Sequence, residues 1–256
     1  MERFISFLGI FMMISLAWAL SEKRSAISWT TVAGALGLQL FFGALVFLAP
    51  KSAEFFLWLN GAVVKLLDLS REGTLFLFGA LALQPGETAP GGLTSLGFFL
   101  AFQVLPAVIF FSALMSLFYY MGVIQPIVHF FARVFKRFMR LSGAESVASS
   151  SNIFVGIEAV FTIRPYLPNF TRSELFILLT TSMATTASTT LAIYVSFLKN
   201  QIPTIAGHLI SASILAIPAA ILISKVMVPE TGKPLTMGHV PKEKEKRHSN
   251  FMGAVI

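Results

Sequence analysis

The stretch SNIFVGIEAVFTIRPYLPNFTRSEL, residues 151–175, decides how this chain is read. It sets a lone carboxylate, Glu158, inside an apolar run and follows it with Arg164, Pro165 and Pro168. It is too apolar for a solvated loop and too broken for a helix that crosses a bilayer. Its surroundings settle which environment it lives in.

Of 256 residues, 55% are hydrophobic and 12% charged, with a mean hydropathy of +0.78. A soluble domain carries roughly 25% charged residues. Several apolar runs also approach the roughly 20 residues that a helix needs to cross a bilayer. The chain therefore reads as an integral membrane protein. Its net charge of +7 comes from basic residues clustered at the ends of apolar runs, where orientation signals belong. No motif for reading DNA or RNA is present, which argues against a nucleic-acid partner. Without cysteine there are no disulfides, thiolate metal sites or cysteine nucleophiles. His129, His208, His239 and His248 are scattered without ligand spacing, so the sequence gives no grounds for a metal site, an organic cofactor or an enzyme.

Working outward, residues 4–20 form a first span; Lys23 and Arg24 follow the apolar run instead of preceding it, unlike a cleaved signal. Residues 27–49 form a second, ended by Pro50. Residues 51–70 mix Phe55, Phe56, Leu59, Val63 and Leu67 with Lys51, Glu54, Lys65 and Asp68, the pattern of an interfacial amphipathic helix. The turn-rich QPGETAPGGLTS leads to a third span at 96–121, interrupted by Pro106. In 122–141, Arg133, Lys136, Arg137 and Arg140 alternate with Ile127, Val128, Phe130, Phe131, Val134, Phe135 and Phe138, as on a helix lying on an anionic leaflet. Uncharged runs at 175–198 and 205–223 can each span, and from Pro229 the chain reads as a polar, solvated linker through to its last residues, FMGAVI. The expected fold is an all-α polytopic membrane protein. It has about five transmembrane helices, one re-entrant helical hairpin and two interfacial amphipathic helices. Residues 1–121 act as scaffold, 142–168 as the hairpin, 171–228 as two further helices and 229–256 as the linker.

With the N-terminus outside, basic residues gather on the cytoplasmic side at Lys23, Arg24, the 133–140 cluster, Arg164, Arg172, Lys225 and the 229–249 linker. That orientation makes residues 143–170 enter and leave on one side, as a re-entrant hairpin does when protein or a water-filled cavity surrounds it. Broken helices at this depth are where transporters hold substrates and ions. Burying Glu158 there costs at least roughly 2.5 kcal/mol, which marks it as functional. Downstream, Thr180, Thr181, Ser182, Thr185, Thr186, Ser188, Thr189 and Thr190 supply oxygens suited to a hard cation or a polar solute. Close helix packing is the plainer role for such residues.

NIFVG, EA, IRPYLP-x-x-TRSEL, MAT-x-A, YVSF, HLISAS and PETGKP, in that order over 144–234, resemble the concentrative nucleoside transporter family. The resemblance implies a trimeric, sodium-coupled nucleoside importer of the plasma (bacterial inner) membrane, with a proton as the alternative coupling ion. Carried over residue by residue, Asn152, Val155, Thr185 and Thr186 resemble the sodium ligands, and Gly156, Ile157, Glu158 and Thr190 the substrate-facing positions. The family's hairpin motif reads N-x-F-x-G-Q-[ST]-E-[AS]-P; here Ile157 alone stands for the Gln and hydroxyl, and Val160 for the proline. Ser188 replaces the family's glycine on the following helix. Losing a polar pair that reads hydrogen-bonding edges alters selectivity by orders of magnitude. The alternatives are therefore transport of another polar solute, or a membrane interaction subunit that shares the fold and moves nothing. The family also continues past the linker into a second hairpin and further spans, which makes a C-terminal half an expected partner.

Overall fold

The computed structural model describes residues 2–48, 50–89 and 91–237, with the side chains of residues 2–7, 50, 157 and 158 left out. Among the described residues the chain is helical, with no strand. In order, the helices are α1 (Glu2–Ala19), α2 (Trp29–Leu48), α3 (Pro50–Phe78), α4 (Leu100–Gln103), α5 (Leu105–Tyr120) and α6 (Ile124–Met139). There follow α7 (Gly143–Ser151), α8 (Val160–Ile163), α9 (Arg172–Ala184), α10 (Ser188–Leu198) and α11 (Ile205–Met227). Among the described residues, four stretches are long and apolar enough to cross a membrane: Trp29–Leu48, Leu100–Tyr120, Arg172–Leu198 and Ile205–Met227. The first expected span is α1, whose Leu8–Ala19 portion is a shorter apolar helix.

The chain divides into two compact units. The first takes the described residues from 2–48, 125–185 and 212–237. Its core forms where stripes at helical spacing meet: Val32, Ala35, Leu38 and Phe42 of α2, Phe135 and Met139 of α6, Ile177 of α9, and Ile217, Ile221 and Val226 of α11. Phe131 packs edge-on against Phe42 with ring centroids 6.2 Å apart. A close approach fixes α2 on α6: a β-carbon on Gly34 would lie 1.9 Å from the Phe138 carbonyl oxygen, so only glycine fits. Arg24 closes the C-terminal end of α1, donating to the Ala19 carbonyl at 2.8 Å with its guanidinium 4.5 Å from the Trp18 ring centroid.

The second unit takes 50–89, 91–124 and 186–211. Val63 and Leu67 of α3 pack with Ala107 and Phe111 of α5, Leu191, Ala192 and Val195 of α10, and Ala206. Asn60, projecting from α3, accepts from the Ala206 and Gly207 amides (3.0 and 3.3 Å) and donates to the Pro203 carbonyl (2.9 Å). It thereby satisfies the orphan amides that open α11. Gln103 donates to the carbonyls of Leu83 and Gly97, both at 2.8 Å, and ties down the 79–99 loop.

Three expectations change. The helix read at 51–70 runs on to Phe78, passing through Gly73, which a helix interior tolerates at modest cost, and ends only at Gly79, whose φ is +54°. The run read as one span at 175–198 is two helices, separated at Thr185–Ala187 by extended backbone with ψ of 155° and 151° at its ends. No proline or glycine lies there; instead the hydroxyls of Thr180, Thr181 and Thr185 bond back to carbonyls three or four residues earlier, which loosens the last turn of α9. Finally, the first part of the supposed linker is folded: Pro229, Pro234 and Thr236 are buried. The rest of that linker, 238–256, lies outside the described residues.

Candidate functional site

The hairpin expected at 142–168 is built from α7, a turn at 152–155, a 3-10 turn over Gly156–Ala159, α8 and a further 3-10 segment over Arg164–Asn169. Gly156 has φ +75°, a left-handed conformation that glycine adopts without strain and that reverses the chain between the limbs. Every residue of α7 is buried, with α8 and α9 packed against it. A nine-residue helix of sequence GAESVASSS does not bury itself for apolar gain; its polar groups must be matched. Ser146 and Ser150 donate to carbonyls four residues back, at 2.7 Å each. The hydroxyls of Ser149 and Ser151 have no partner among the described residues.

Asn152 caps the far end of α7 and is 0% exposed. Its amide donates to Thr181 Oγ1 (3.0 Å) and Ser182 Oγ (3.1 Å), and its carbonyl oxygen accepts from Ser182 Oγ at 3.4 Å. These partners lie on the final turn of α9, just ahead of the helix break. Asn152 thus meets Thr181 and Ser182, one turn before the expected partner. Thr185 instead donates to the Thr181 carbonyl at 3.0 Å. Val155 is half-buried in the turn, its amide on the Ser151 carbonyl at 3.1 Å. The backbone of Ile157 and Glu158 lies in the 3-10 turn; their side chains lie outside the described residues. Thr186 and Thr190 belong to the second compact unit, where Thr190 is exposed on α10.

The opposite end of α7 carries a feature absent from the expectations. Ser142 and Glu145 form a capping box at its N-terminus, and Thr171 and Glu174 form another on α9. The two are joined directly, since Ser142 Oγ donates to Glu174 Oε1 at 2.6 Å. They are also joined the other way round. Thr171 Oγ1 donates to Glu230 Oε2 (2.8 Å), Glu230 lies 3.7 Å from Lys225 Nζ, and Lys225 donates to Glu145 Oε1 (2.7 Å). Six side chains close a ring that holds α7, α9, the last turn of α11 and the segment after it. Lys225 also donates to Ser173 Oγ at 3.1 Å. Thr236 completes the clasp by accepting the Gly143 and Ala144 amides on its carbonyl and hydroxyl oxygens (3.0 and 2.9 Å). Glu145 and Lys225 are 2% and 8% exposed, so these two charges depend on each other for solvation, while Glu174, 1% exposed, takes its hydrogen bonds from the Ser142 hydroxyl and the Thr171 amide. The signal was in the sequence: S-x-x-E at 142–145 and T-x-x-E at 171–174 are capping-box patterns.

Residues 8–81 match the family model described as the N-terminus of Na+ dependent nucleoside transporters, and residues 101–201 match the one described as a nucleoside-recognition gate. Sodium/nucleoside cotransporter 2 of Rattus norvegicus is 39% identical over 230 residues, covering 90% of this chain and 32% of that protein. An uncharacterized transporter of Haemophilus influenzae is 36% identical over 227 residues, covering 88% of this chain and 51% of its own length. The structure of CNTnw in an inward-facing, substrate-bound state superposes with a TM-score of 0.85 at 34% identity, over 100% of this chain and 60% of that one. The chain thus spans a third to a half of these curated relatives, which are transporters and not enzymes. Both family models, the identity along nearly the whole chain and the shared helical architecture agree: this membrane protein belongs to the concentrative nucleoside transporter family.

Proposed function

We propose that the chain forms the N-terminal portion of a cation-coupled nucleoside symporter, with sodium as the coupling ion. The observation that carries this reading is the meeting of two interrupted helices. Asn152, at the buried end of α7, bonds to Thr181 and Ser182 just before α9 breaks at Thr185–Ala187. Interrupted helices leave carbonyls and side-chain oxygens free to replace a cation's hydration shell. Asn152, the Val155 carbonyl and Thr185 are the proposed sodium ligands, with Thr186 as the family's further donor. Glu158, Ile157, Gly156 and Thr190 are the proposed nucleoside-facing positions. The apolar Ile157, standing where the family has a Gln and a hydroxyl, favours altered base selection, and a different polar solute is the second reading. The N-terminus lies outside and the linker in the cytoplasm, on the strength of the basic clusters, and the protein assembles as a homotrimer like the family it belongs to. A non-transporting subunit would have no use for a buried Asn152 beside an unwound segment.

The test is a sodium titration of thermal stability in a potassium- or choline-balanced buffer. A ligand at a hundred times its Kd stabilises by about 2.7 kcal/mol. Sodium is expected to raise the Tm of the protein and leave Asn152→Ala unmoved. Equal responses to sodium and choline, or a sodium shift that survives in Asn152→Ala, would overturn the ion assignment.

A further inference from the structure

The helix α6 has a buried sector, a basic sector and an apolar sector that is partly exposed, where Phe131 and Val134 still touch the core. Val128, Ala132, Phe135 and Met139 are each 0% exposed and pack inward. On a second sector lie His129, Arg133, Lys136 and Arg137, with Arg140 just past the helix end. On the third, beside the arginines, Ile127, Phe130 and Phe138 are exposed at 41%, 56% and 54%. A soluble helix has two faces; a third that is apolar and open needs a hydrocarbon neighbour. The depth is set by Gly34, near the start of the candidate span α2, which is pressed against the Phe138 carbonyl in the last turn of α6. Thus α6 lies level with the end of a membrane span.

The basic sector is uncompensated. No Asp or Glu occurs between Glu87 and Glu145. Among the described residues, none of Arg133, Lys136, Arg137 and Arg140 forms an ion pair, although Arg133 donates to the His129 carbonyl at 3.2 Å. Arg140 has φ +52°, a left-handed position after a helix that glycine fills more cheaply. Its side chain is exposed and extends the basic sector beyond the helix.

We propose that the outer face of α6 is a seat for anionic phospholipid. Arg133, Lys136, Arg137 and Arg140 hold the headgroup phosphate while Ile127, Phe130 and Phe138 enter the acyl layer beside it. The charges match an anionic leaflet, and the apolar sector distinguishes a lipid from a free anion. This rests on the membrane-spanning reading alone and not on what the protein transports.

The test is thermal unfolding of the purified protein in neutral detergent, titrated with phosphatidylglycerol, phosphatidylcholine or inorganic phosphate. Phosphatidylglycerol is expected to raise the Tm and the other two are not. Each arginine removed should weaken the apparent phosphatidylglycerol affinity about fivefold, the equivalent of about 1 kcal/mol per basic residue at the membrane surface. Arg133→Gln/Arg137→Gln/Arg140→Gln should abolish the lipid-specific shift. The single variant Arg140→Gly separates a backbone role from a binding role: it should raise the lipid-free Tm, by relieving the left-handed arginine, while weakening the lipid response. Equal shifts with phosphatidylglycerol and phosphatidylcholine, an equal shift with phosphate alone, or an unchanged lipid response in Arg140→Gly and the triple variant would each overturn the proposal.

Discussion

Replacing Lys225 by methionine tests the buried ring with a change of nearly the same volume. Lys225 is the sole cation in the ring, and it sits 2.7 Å from Glu145, a carboxylate that is 2% exposed. Removing one partner of a buried pair leaves the other charged and unsolvated, at a cost of about 3–5 kcal/mol. In a chain of this size each kcal/mol moves the Tm by about 2–4 °C, so the expected fall is roughly 6–20 °C. The companion Glu145→Gln keeps an oxygen for the Ser142 amide, which Glu145 Oε2 now accepts at 2.8 Å, while removing the charge. In Glu145→Gln/Lys225→Met no unpaired charge is left at this contact. The double variant should therefore be more stable than Lys225→Met alone, with a coupling of about 0.5–3 kcal/mol across the cycle. The assay is thermal unfolding of the four proteins in one detergent, followed by intrinsic fluorescence. A Lys225→Met protein within about 1 kcal/mol of the parent, or strict additivity in the double variant, would refute the account of the ring.

Other positions give sharper local tests. Gly34→Ala drives a β-carbon into the Phe138 carbonyl and should destabilise by about 1–3 kcal/mol, whereas Gly37→Ala, with nothing within 4 Å, should be near neutral by the same unfolding assay. Asn60→Ala leaves the Ala206 and Gly207 amides and the Pro203 carbonyl without their partner, at an expected 1–3 kcal/mol; deuterium exchange at 205–209 should rise with it. Thr181→Val removes one acceptor of the Asn152 amide but keeps the shape, and should weaken sodium stabilisation more than it lowers the sodium-free Tm. Equal losses in both would assign Thr181 to packing alone.

Much of the fold was legible because the bilayer imposes length and polarity on each segment. The spacing of Val128, Phe135 and the arginines already showed α6 with an aromatic and a basic side. The continuation of α3 to Phe78 was not legible, because the Arg71-Glu72-Gly73 step looks like a boundary and yet the helix carries on through Gly73 to Gly79. The break at Thr185–Ala187 left no proline or glycine to read, and only the pattern of back-bonding hydroxyls explains it. At the candidate site, Asn152 and the hydroxyls of α9 were visible as types, but which hydroxyl meets Asn152 depends on the register of two helices. The ring was least legible: its members are spread from Ser142 to Glu230 and only the two local capping boxes have a sequence pattern. Reading the segment from Pro229 as solvated followed from its polarity, and missed that Glu230 and Thr236 are needed to finish the N-termini of α9 and α7.

The most direct test of the central claim is binding of radiolabelled nucleosides to the purified protein, with and without sodium, alongside Glu158→Gln. The account predicts saturable binding that requires sodium and is lost in the variant. Sodium-independent binding, binding undiminished in Glu158→Gln, or none by folded protein that sodium nonetheless stabilises would contradict it.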